Sequence, residues 1–566
     1  MSLLGALNIG KSALATHQAA IQVTGNNISN AGNPDYSRQV SRIVPARDQE
    51  LRPGQFVGTG VTLAAIERQV DEALQGRLRN SYSDAQAATT HQQWLGRVES
   101  LFNELTDDDI STAMSRFFGG WSNLANKPQD VGLRQVVIQE GDALAGQLRQ
   151  LRLSLDELQK DVDQRLAALV KDADALASQV ADLNRQIVEA EGGTGGQSNG
   201  LRDQRDAVLK RLSELMDVQT VEMSDGTVNV LVGSEPLVWG TLSMGVTVST
   251  VEVDGEPVQA AAFAQNKGVI RLTSGQLGGL AQARTSIGSA IREVDELAGG
   301  LIFELNKVHA SGQGLIGLGS AEALRAVSDA DAPLNDPSAG LAFQPSHGSL
   351  VVHVRQKGGG LETSTLIRID LDGAGGDDTT LESLRQDLDA IAGVNAVIAG
   401  GKLRIAADSP ALEVTFSQDS SGVLAALGIN AFFAGADARD IAVAQAVRSD
   451  PRLLAASANG EAGDNRTALA IAALETASLQ SMGGLSLRDR YQQTVNRVAV
   501  EAAGATTAAE ATRIVQQTLE SQREALSGVS LDEEAINLIR QQRAFQSAAR
   551  LISTIDELMR TLLQMA

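Results

Sequence analysis

Three glycines, Gly312, Gly314 and Gly317, stand at the spacing by which a dinucleotide fingerprint presents backbone N–H groups to a pyrophosphate. That chemistry needs a strand before the first glycine and a helix after the last. Here the glycines follow a helical pattern that ends near His309, so they read as a flexible loop. Asp370, Asp372, Asp377 and Asp378, with Gly373 among them, could offer oxygen ligands to calcium. The EF-hand spacing and its terminal Glu are missing, and a solvated strand-to-helix loop is the reading. Of the five histidines, His17, His91, His309, His347 and His353, only the last two share a sheet region, and two ligands do not make a zinc site. Asp107, Asp108 and Asp109 precede Ile110 as an acidic helix start favoured by the dipole. No serine is read as a nucleophile elbow, and the absence of cysteine removes thiol chemistry and disulfides. No catalytic, cofactor-binding or metal-ligating residue is therefore expected, and the chain does not read as an enzyme.

The elements around these residues speak more strongly than the residues themselves. The first 34 positions carry one charged side chain, Lys11, and repeat Leu7, Leu14, Ile21 and Ile28 at intervals of seven. The far end answers with Leu531, Leu538, Phe545, Ile552 and Met559 at the same interval. A strict seven-residue repeat keeps one seam facing a partner helix. Ala6, Ala13 and Ala20 lie beside the first stripe, and Ala548, Ile555 and Leu562 beside the second, so close helix approach is possible. The two ends are expected to pair, and because a lone two-helix hairpin with so small a seam is marginal in water, to become ordered within an assembly. Ser530 and Glu533 form a capping-box pattern that places a helix start just after Gly528.

Composition narrows the classes further. The 566 residues are 43% hydrophobic and 20% charged, as in soluble multidomain protein, and aromatics at 3% are too few for aromatic-lined ligand pockets. A net charge of -22 opposes binding to phosphate backbones, so nucleic acid is not an expected partner. No stretch approaches the roughly 20 apolar residues that span a bilayer, and no basic, apolar and small-residue succession marks a signal peptide. Neither membrane insertion nor signal-peptide secretion is expected.

From Val131 to Ala190, leucines and valines recur at steps of three and four, which predicts one helix about 90 Å long. Gly192, Gly193, Gly195 and Gly196 stop it, and Ser198 or Asn199 can cap a returning helix. Val218 to Gly275 is Val-, Thr- and Gly-rich and reads as short antiparallel strands, before helix resumes over Gly278–Ala310. Between 331 and 434 come strands at Leu350–Val354 and Thr365–Leu371, a helix from Leu381 capped by Thr379 or Thr380, and a hairpin with Gly400 and Gly401 at its tip. The expected fold is mainly α with α+β parts. Its divisions are 1–45 with 525–566 as an inner terminal-helix domain, 46–330 with 435–524 as a helical body containing a β-rich 217–275, and 331–434 as an inserted outer α+β domain.

Asn26-Asn27-Ile28-Ser29-Asn30 followed by Pro34-Asp35-Tyr36-Ser37-Arg38-Gln39 resembles the N-terminal signature of bacterial flagellar rod, hook and hook-associated axial proteins. Ser527-Gly528-Val529-Ser530-Leu531-Asp532-Glu533-Glu534-Ala535, with Gln542-Arg543-Ala544-Phe545-Gln546, resembles the matching C-terminal signature, except that Phe545 replaces a frequent Tyr. Within that family the Tyr-Ser-Arg-Gln and Leu-Asp-Glu-Glu forms, the length and the helical hairpin point to the hook–filament junction. The resemblance implies a structural adaptor without a cofactor that self-assembles into a ring or tube through its terminal helices. It also implies the hook protein and a second junction protein as neighbours and an export chaperone on the C-terminal helix. It implies type III export without a cleaved signal to an extracellular place on the flagellum, and a role in motility. A hook or distal-rod subunit is the neighbouring reading, and an adhesin or enzyme carried by the insert is the reading from another class.

Overall fold

The computed structural model describes residues 3–102, 109–192, 196–253, 256–358, 361–461 and 463–565. In chain order the helices are α1 (Leu3–Ser29), α2 (Glu72–Phe102), α3 (Ile110–Asn126), α4 (Val131–Glu191), α5 (Asn199–Leu215), α6 (Gly275–Ala310), α7 (Leu381–Asp389), α8 (Val423–Leu427), α9 (Gln445–Ser449), α10 (Arg466–Ala473), α11 (Leu487–Ser527) and α12 (Leu531–Met565). Short antiparallel strands occupy the gaps, so the fold is mainly α with α+β parts, as expected. The long helix runs its full predicted course: α4 has 61 residues, and Leu144, Leu148, Leu155, Val162, Leu166, Leu169, Val180 and Ile187 on its recurring stripe are buried. Gly193 and Gly195 lie outside the described residues.

Two compact units divide the chain, the first comprising Met1–Trp94, Asp161–Arg284 and Ala503–Ala566. Here α1 runs antiparallel to α12, with Gly10 against Ile552 at one end and Asn27 bonded to Glu534 at the other. Between α1 and α2 a β arm that sequence reading left unassigned pairs Gln39–Pro45 with Val61–Arg68, and Gln49–Arg52 with Gln55–Val57. The β-rich region is a four-stranded meander over Gln219–Ser243 followed by the hairpin Val246–Val253 and Glu256–Phe263. The meander is pinned by Asn184 of α4, buried to 0% exposure, whose amide donates to the carbonyls of Val228 and Gly240 at 2.8 and 2.6 Å and accepts from Arg205 and the Val228 N–H at 3.1 Å. Gly279 of α6 lies so close to α2 that a Cβ there would stand 2.4 Å from the Ala87 carbonyl oxygen, a contact only glycine permits.

The second unit comprises Leu95–Lys160 and Thr285–Ala502. Its helices are tied by ion pairs: Arg152 of α4 grips Asp295 of α6 through Nε at 2.9 and 3.0 Å, and Arg497 of α11 grips Glu293 at 2.8 and 3.1 Å. Phe117 and Trp121 of α3 meet Phe432 with ring centroids 5.6 Å apart, and His309 at the end of α6 closes the cluster. Within this unit the stretch from Ala310 to Ile429 has its own hydrophobic core. Strands Glu362–Ile369, Gly348–Gln356 and Leu412–Ser417 form one sheet, and Ser320–Glu322, Lys402–Ala407 and Val394–Ala399 a second. Leu350, Val352, Val354, Ile367 and Ile369 bury alternate positions, as a half-covered sheet requires. Helix α7 begins with a complete capping box between Thr380 and Ser383.

Candidate assembly site at the paired termini

Small residues let α1 and α12 approach closely at points along their seam. A Cβ on Gly10 would stand 2.7 Å from Ile552 Cγ1, so glycine lets that isoleucine lie against the α1 backbone. Ala20, Val23, Thr24 and Asn27 on α1, and Glu534, Ala548 and Ile555 on α12, are buried, and Gln541 bonds His17 at 2.8 Å. The buried residues of α12 therefore fall at 534, 548 and 555, with half-buried Gln541 on the same heptad line, beside the predicted one. Leu7, Leu14, Ile21 and Ile28 are half-buried, as are Leu538, Phe545, Ile552 and Met559, while Leu531 is exposed. Of the predicted stripes, Ile552 packs directly on α1 at Gly10, and the other half-buried members border the buried line. Further round α12, Ile536, Ile539, Leu551, Leu558 and Leu562 are exposed apolar side chains.

One end of the seam closes on a polar knot made by the signature residues. After α1 ends, the Asn33-Pro34 turn brings the chain back, with Asn33 Oδ1 accepting the Asp35 N–H at 3.1 Å. Buried Asn27 then uses all four of its hydrogen-bonding positions. Its Oδ1 accepts from the Tyr36 hydroxyl at 2.7 Å and the Gln39 N–H at 3.0 Å, and its Nδ2 donates to the Gln39 carbonyl at 2.8 Å and to Glu534 at 3.2 Å. Arg38 clamps the same Glu534 at 2.7 and 2.9 Å and Glu533 at 2.8 Å, and its N–H donates to the Ser527 carbonyl. Ser530 accepts the Glu533 N–H at 3.4 Å, but the Glu533 carboxylate goes to Arg38 instead of completing the capping box.

The outer signature residues support this knot. Asn30 bonds back to Asn26 at 2.9 and 3.1 Å, Ser29 Oγ donates to the Gly25 carbonyl at 2.8 Å, and Arg523 Nη1 donates to the Pro34 carbonyl at 2.7 Å. Burial, with Asp203 and Glu534 nearby, pushes the Tyr36 hydroxyl up to about 12, so it stays a neutral donor. Ser37 bonds Asp203 of α5, whose carboxyl burial raises and Arg68 pulls back, with Arg68 Nη1 at 3.0 Å. A cavity of about 600 Å³ opens beside the knot, lined by Asn30, Asn33, Arg38, Arg523 and Glu533. The arrangement holds two chain ends in register.

The other sequence candidates lie elsewhere. Gly312, Gly314 and Gly317 form a loop that is packed, not flexible: a Cβ on Gly314 would meet the Arg452 carbonyl at 2.3 Å, and the Gly317 N–H donates to the Glu413 carboxylate at 3.0 Å. The Gly312 N–H likewise donates to the His309 carbonyl at 3.0 Å. Asp372 and Asp378 accept N–H groups of their own loop at 2.8 and 3.1 Å. His347, Asp370 and Asp372 come within 4.8 Å of one another at the surface, a grouping that sequence spacing does not reveal. Asp109 caps α3 through the Thr112 N–H, and Asp107 and Asp108 lie outside the described residues. Gly196-Gln197-Ser198-Asn199-Gly200 does match the Gly-x-Ser-x-Gly spacing, contrary to the sequence reading, but Ser198 is the cap residue before α5, the described element preceding it is the helix α4, and its N–H donates to Glu191 at 2.7 Å. His309 is fully buried: Nδ1 bonds the Asn430 carbonyl at 2.8 Å and Nε2 accepts the Ala455 N–H at 3.0 Å. Burial pushes its pKa down to about 4. Among the described residues, no helix is long and apolar enough to cross a membrane.

Residues 95–323 match the model of the flagellar hook-associated protein FlgK helical domain, and residues 520–565 that of the flagellar basal body rod FlgEFG protein C-terminal region. Flagellar hook-associated protein 1 of Escherichia coli (strain K12) is 24% identical over 97% of both chains. The Bacillus subtilis (strain 168) protein of the same name is 26% identical over 98% of this chain and 96% of its own. The solved flagellar hook junction protein FlgK from Burkholderia pseudomallei superposes with a TM-score of 0.49 and 16% identity, covering 80% of this chain and 100% of that one. The two matched regions, 95–323 and 520–565, and relatives matched along the whole length define a structural protein of the bacterial flagellum, one of the hook-associated class. More narrowly, the chain belongs to the flagellar hook-associated protein 1 family. That family is structural.

Proposed function

We propose that this protein is the adaptor at the hook–filament junction, self-assembling through α1 and α12 into a ring or tube on which filament growth begins. The observation that carries this reading is the partly filled seam. Intrachain pairing consumes the line through Ala548 and Ile555, while Leu538, Phe545, Ile552 and Met559 are half-covered and Ile536, Ile539, Leu551 and Leu558 remain exposed. A helix carrying apolar residues on both sides of its buried line suits neighbours on two sides. The axial role needs neither catalysis nor a cofactor.

In this reading residues 1–45 with 525–566 line the assembly, the helical segments 46–330 and 435–524 surround them, and 331–434 projects outward. The separate hydrophobic core between Ala310 and Ile429 supports the last division. The hook protein below and a second junction protein above are its neighbours, and an export chaperone covers the apolar α12 before the subunit leaves through the flagellar apparatus to the extracellular structure. Immunogold labelling of hooks isolated from a filament-less strain tests the position. Label confined to the distal end of the hook is expected, and label along the whole hook or on the rod would replace this reading with that of another axial subunit.

A further inference from the structure

In the sheet formed by Glu362–Ile369, Gly348–Gln356 and Leu412–Ser417, Leu350, Val352 and Val354 face the core, so His353 and its alternate neighbours occupy the opposite face. Register places Ser364 and Thr415 opposite His353, and Ser417 opposite Val351 one step away on the same face. Ser417, Glu362 and Ser364 converge on His353 there. Ser417 Oγ lies 2.7 Å from His353 Nε2, and His353 Nδ1 lies 2.8 Å from Glu362 Oε1 and 2.8 Å from Ser364 Oγ. With Nδ1–H directed to the carboxylate, Nε2 offers its lone pair and the Ser417 hydroxyl donates to it. This is the order of hydroxyl, imidazole and orienting carboxylate that activates a serine.

A cavity of about 520 Å³ adjoins Ser417, His353 and Glu362, lined also by Gln418 and Asn459. Asn459 Oδ1 accepts the Glu461 N–H at 3.0 Å, and its NH2 has no acceptor among the described residues. Gln418, next to Ser417, sits in the left-handed region at φ +52°, where a side chain is rarely placed without cause. Two carboxamides beside an activated hydroxyl can supply the donors a developing oxyanion requires.

We propose that this face hydrolyses small acyl esters, a reaction separate from the axial role. Ser417 Oγ bonds to the ester carbonyl carbon while its proton passes to His353 Nε2, and the carbonyl oxygen becomes an oxyanion met by the Asn459 and Gln418 amides. The bond to the alcohol oxygen then breaks, the alcohol leaving with the proton from His353. Water, giving a proton to the same nitrogen, adds to the acyl-serine and releases the carboxylic acid, and the proton returns to Ser417. Glu362 touches no reacting atom. It is a positioning residue that holds the imidazole tautomer.

The test uses the full chain, a fluorophosphonate probe located by peptide mass spectrometry, and p-nitrophenyl acetate turnover. Phosphonylation at Ser417 is expected, abolished in Ser417→Ala and lowered about 100-fold in His353→Ala, with turnover falling in parallel. Glu362→Gln should lower kcat and leave KM, and Glu362→Asp should restore part of the loss, a split that a purely structural carboxylate would not produce. Label spread over other serines at equal rate, or label at Ser417 undiminished in His353→Ala, overturns the proposal. If a variant fails to fold, the site of labelling in the unaltered chain decides alone.

Discussion

Acidification should weaken the second unit through one side chain, His309. Its neutral ring is fixed in one tautomer, Nδ1–H donating to the Asn430 carbonyl and Nε2 accepting from the Ala455 N–H. A second proton would set an N–H against that N–H, inside an aromatic cluster and with Arg134 adding positive charge. Burial accordingly holds the folded pKa near 4, against 6.5 for the free ring. The unfolded chain therefore binds more protons between these values, so the contribution is fully present above 6.5 and is lost as pH falls towards 4. At about 1.4 kcal/mol per pH unit, that gap amounts to about 3 kcal/mol, of which about 2 kcal/mol is already lost at pH 5. Trp121, whose ring centroid lies 6.3 Å from that of His309, reports locally once Trp94 and Trp239 are replaced by Phe. Urea unfolding at pH 7 and pH 5, in this background and with His309→Gln added, isolates the term because all other titrating groups are common to both. The variant should lose about 2 kcal/mol less than its parent over that interval. Equal losses would refute the assignment of acid sensitivity to this histidine.

Phe545→Asp should leave thermal melting of the isolated chain nearly unchanged, yet abolish filament assembly, because in the assembled seam an unpaired carboxylate costs several kcal/mol. Cells carrying it should build hooks and release flagellin into the medium, whereas Gln564→Asp, at an exposed position, should be mild, and normal filaments would remove Phe545 from the mechanism. Asn27→Ala strips partners from Tyr36, Gln39 and Glu534, and should cost the terminal pair about 1–3 kcal/mol, read as faster amide exchange at 36–39 with exchange in α4 unaltered. In the unassembled chain, amides of 3–29 and 531–565 should exchange faster than those of 144–187, and equal protection would contradict assembly-coupled ordering of the ends. Calorimetric titration with calcium and with dinucleotides should be flat, and micromolar heat with either would make the Asp370–Asp378 loop or the Gly312–Gly317 loop a site.

What the sequence made legible follows from the range of the interactions. The α4 stripe, the Thr380 cap and the Gly400–Gly401 hairpin rest on neighbours a few positions apart, and periodicity or turn chemistry exposes them. The β arm over 39–68 escaped because its strands are short, irregular in register at Arg42–Ile43, and carry charge at Arg42 and Glu67 where a plain apolar alternation would stand. Glu534 looked like an ordinary acidic residue in the first turn of a helix, and its bond to Asn27 spans 507 positions, beyond any local pattern. Ser417, His353 and Glu362 come together only through a strand register that no single strand encodes.

The polar knot resolves a difficulty created by the seam itself. The contact between α1 and α12 recurs on a seven-residue repeat, so a slip of seven would bring another set of small and apolar residues into the same seam at modest apolar cost. At the closed end the same slip would strand Glu534 and Arg38 away from each other and leave the four positions of Asn27 unmet. Breaking a buried charge pair on that scale costs about 3–5 kcal/mol, more than a displaced alanine contact can return. Register is thus set at one end by groups that tolerate no displacement. The other end, where Leu4, Leu558, Leu562 and Met565 are exposed, has no such lock among the described residues and is left to be fixed by whatever packs against it. A subunit pinned at the turn and adjustable towards its tips can seat the same fold in two different tubular surroundings, which is the mechanical demand on a junction.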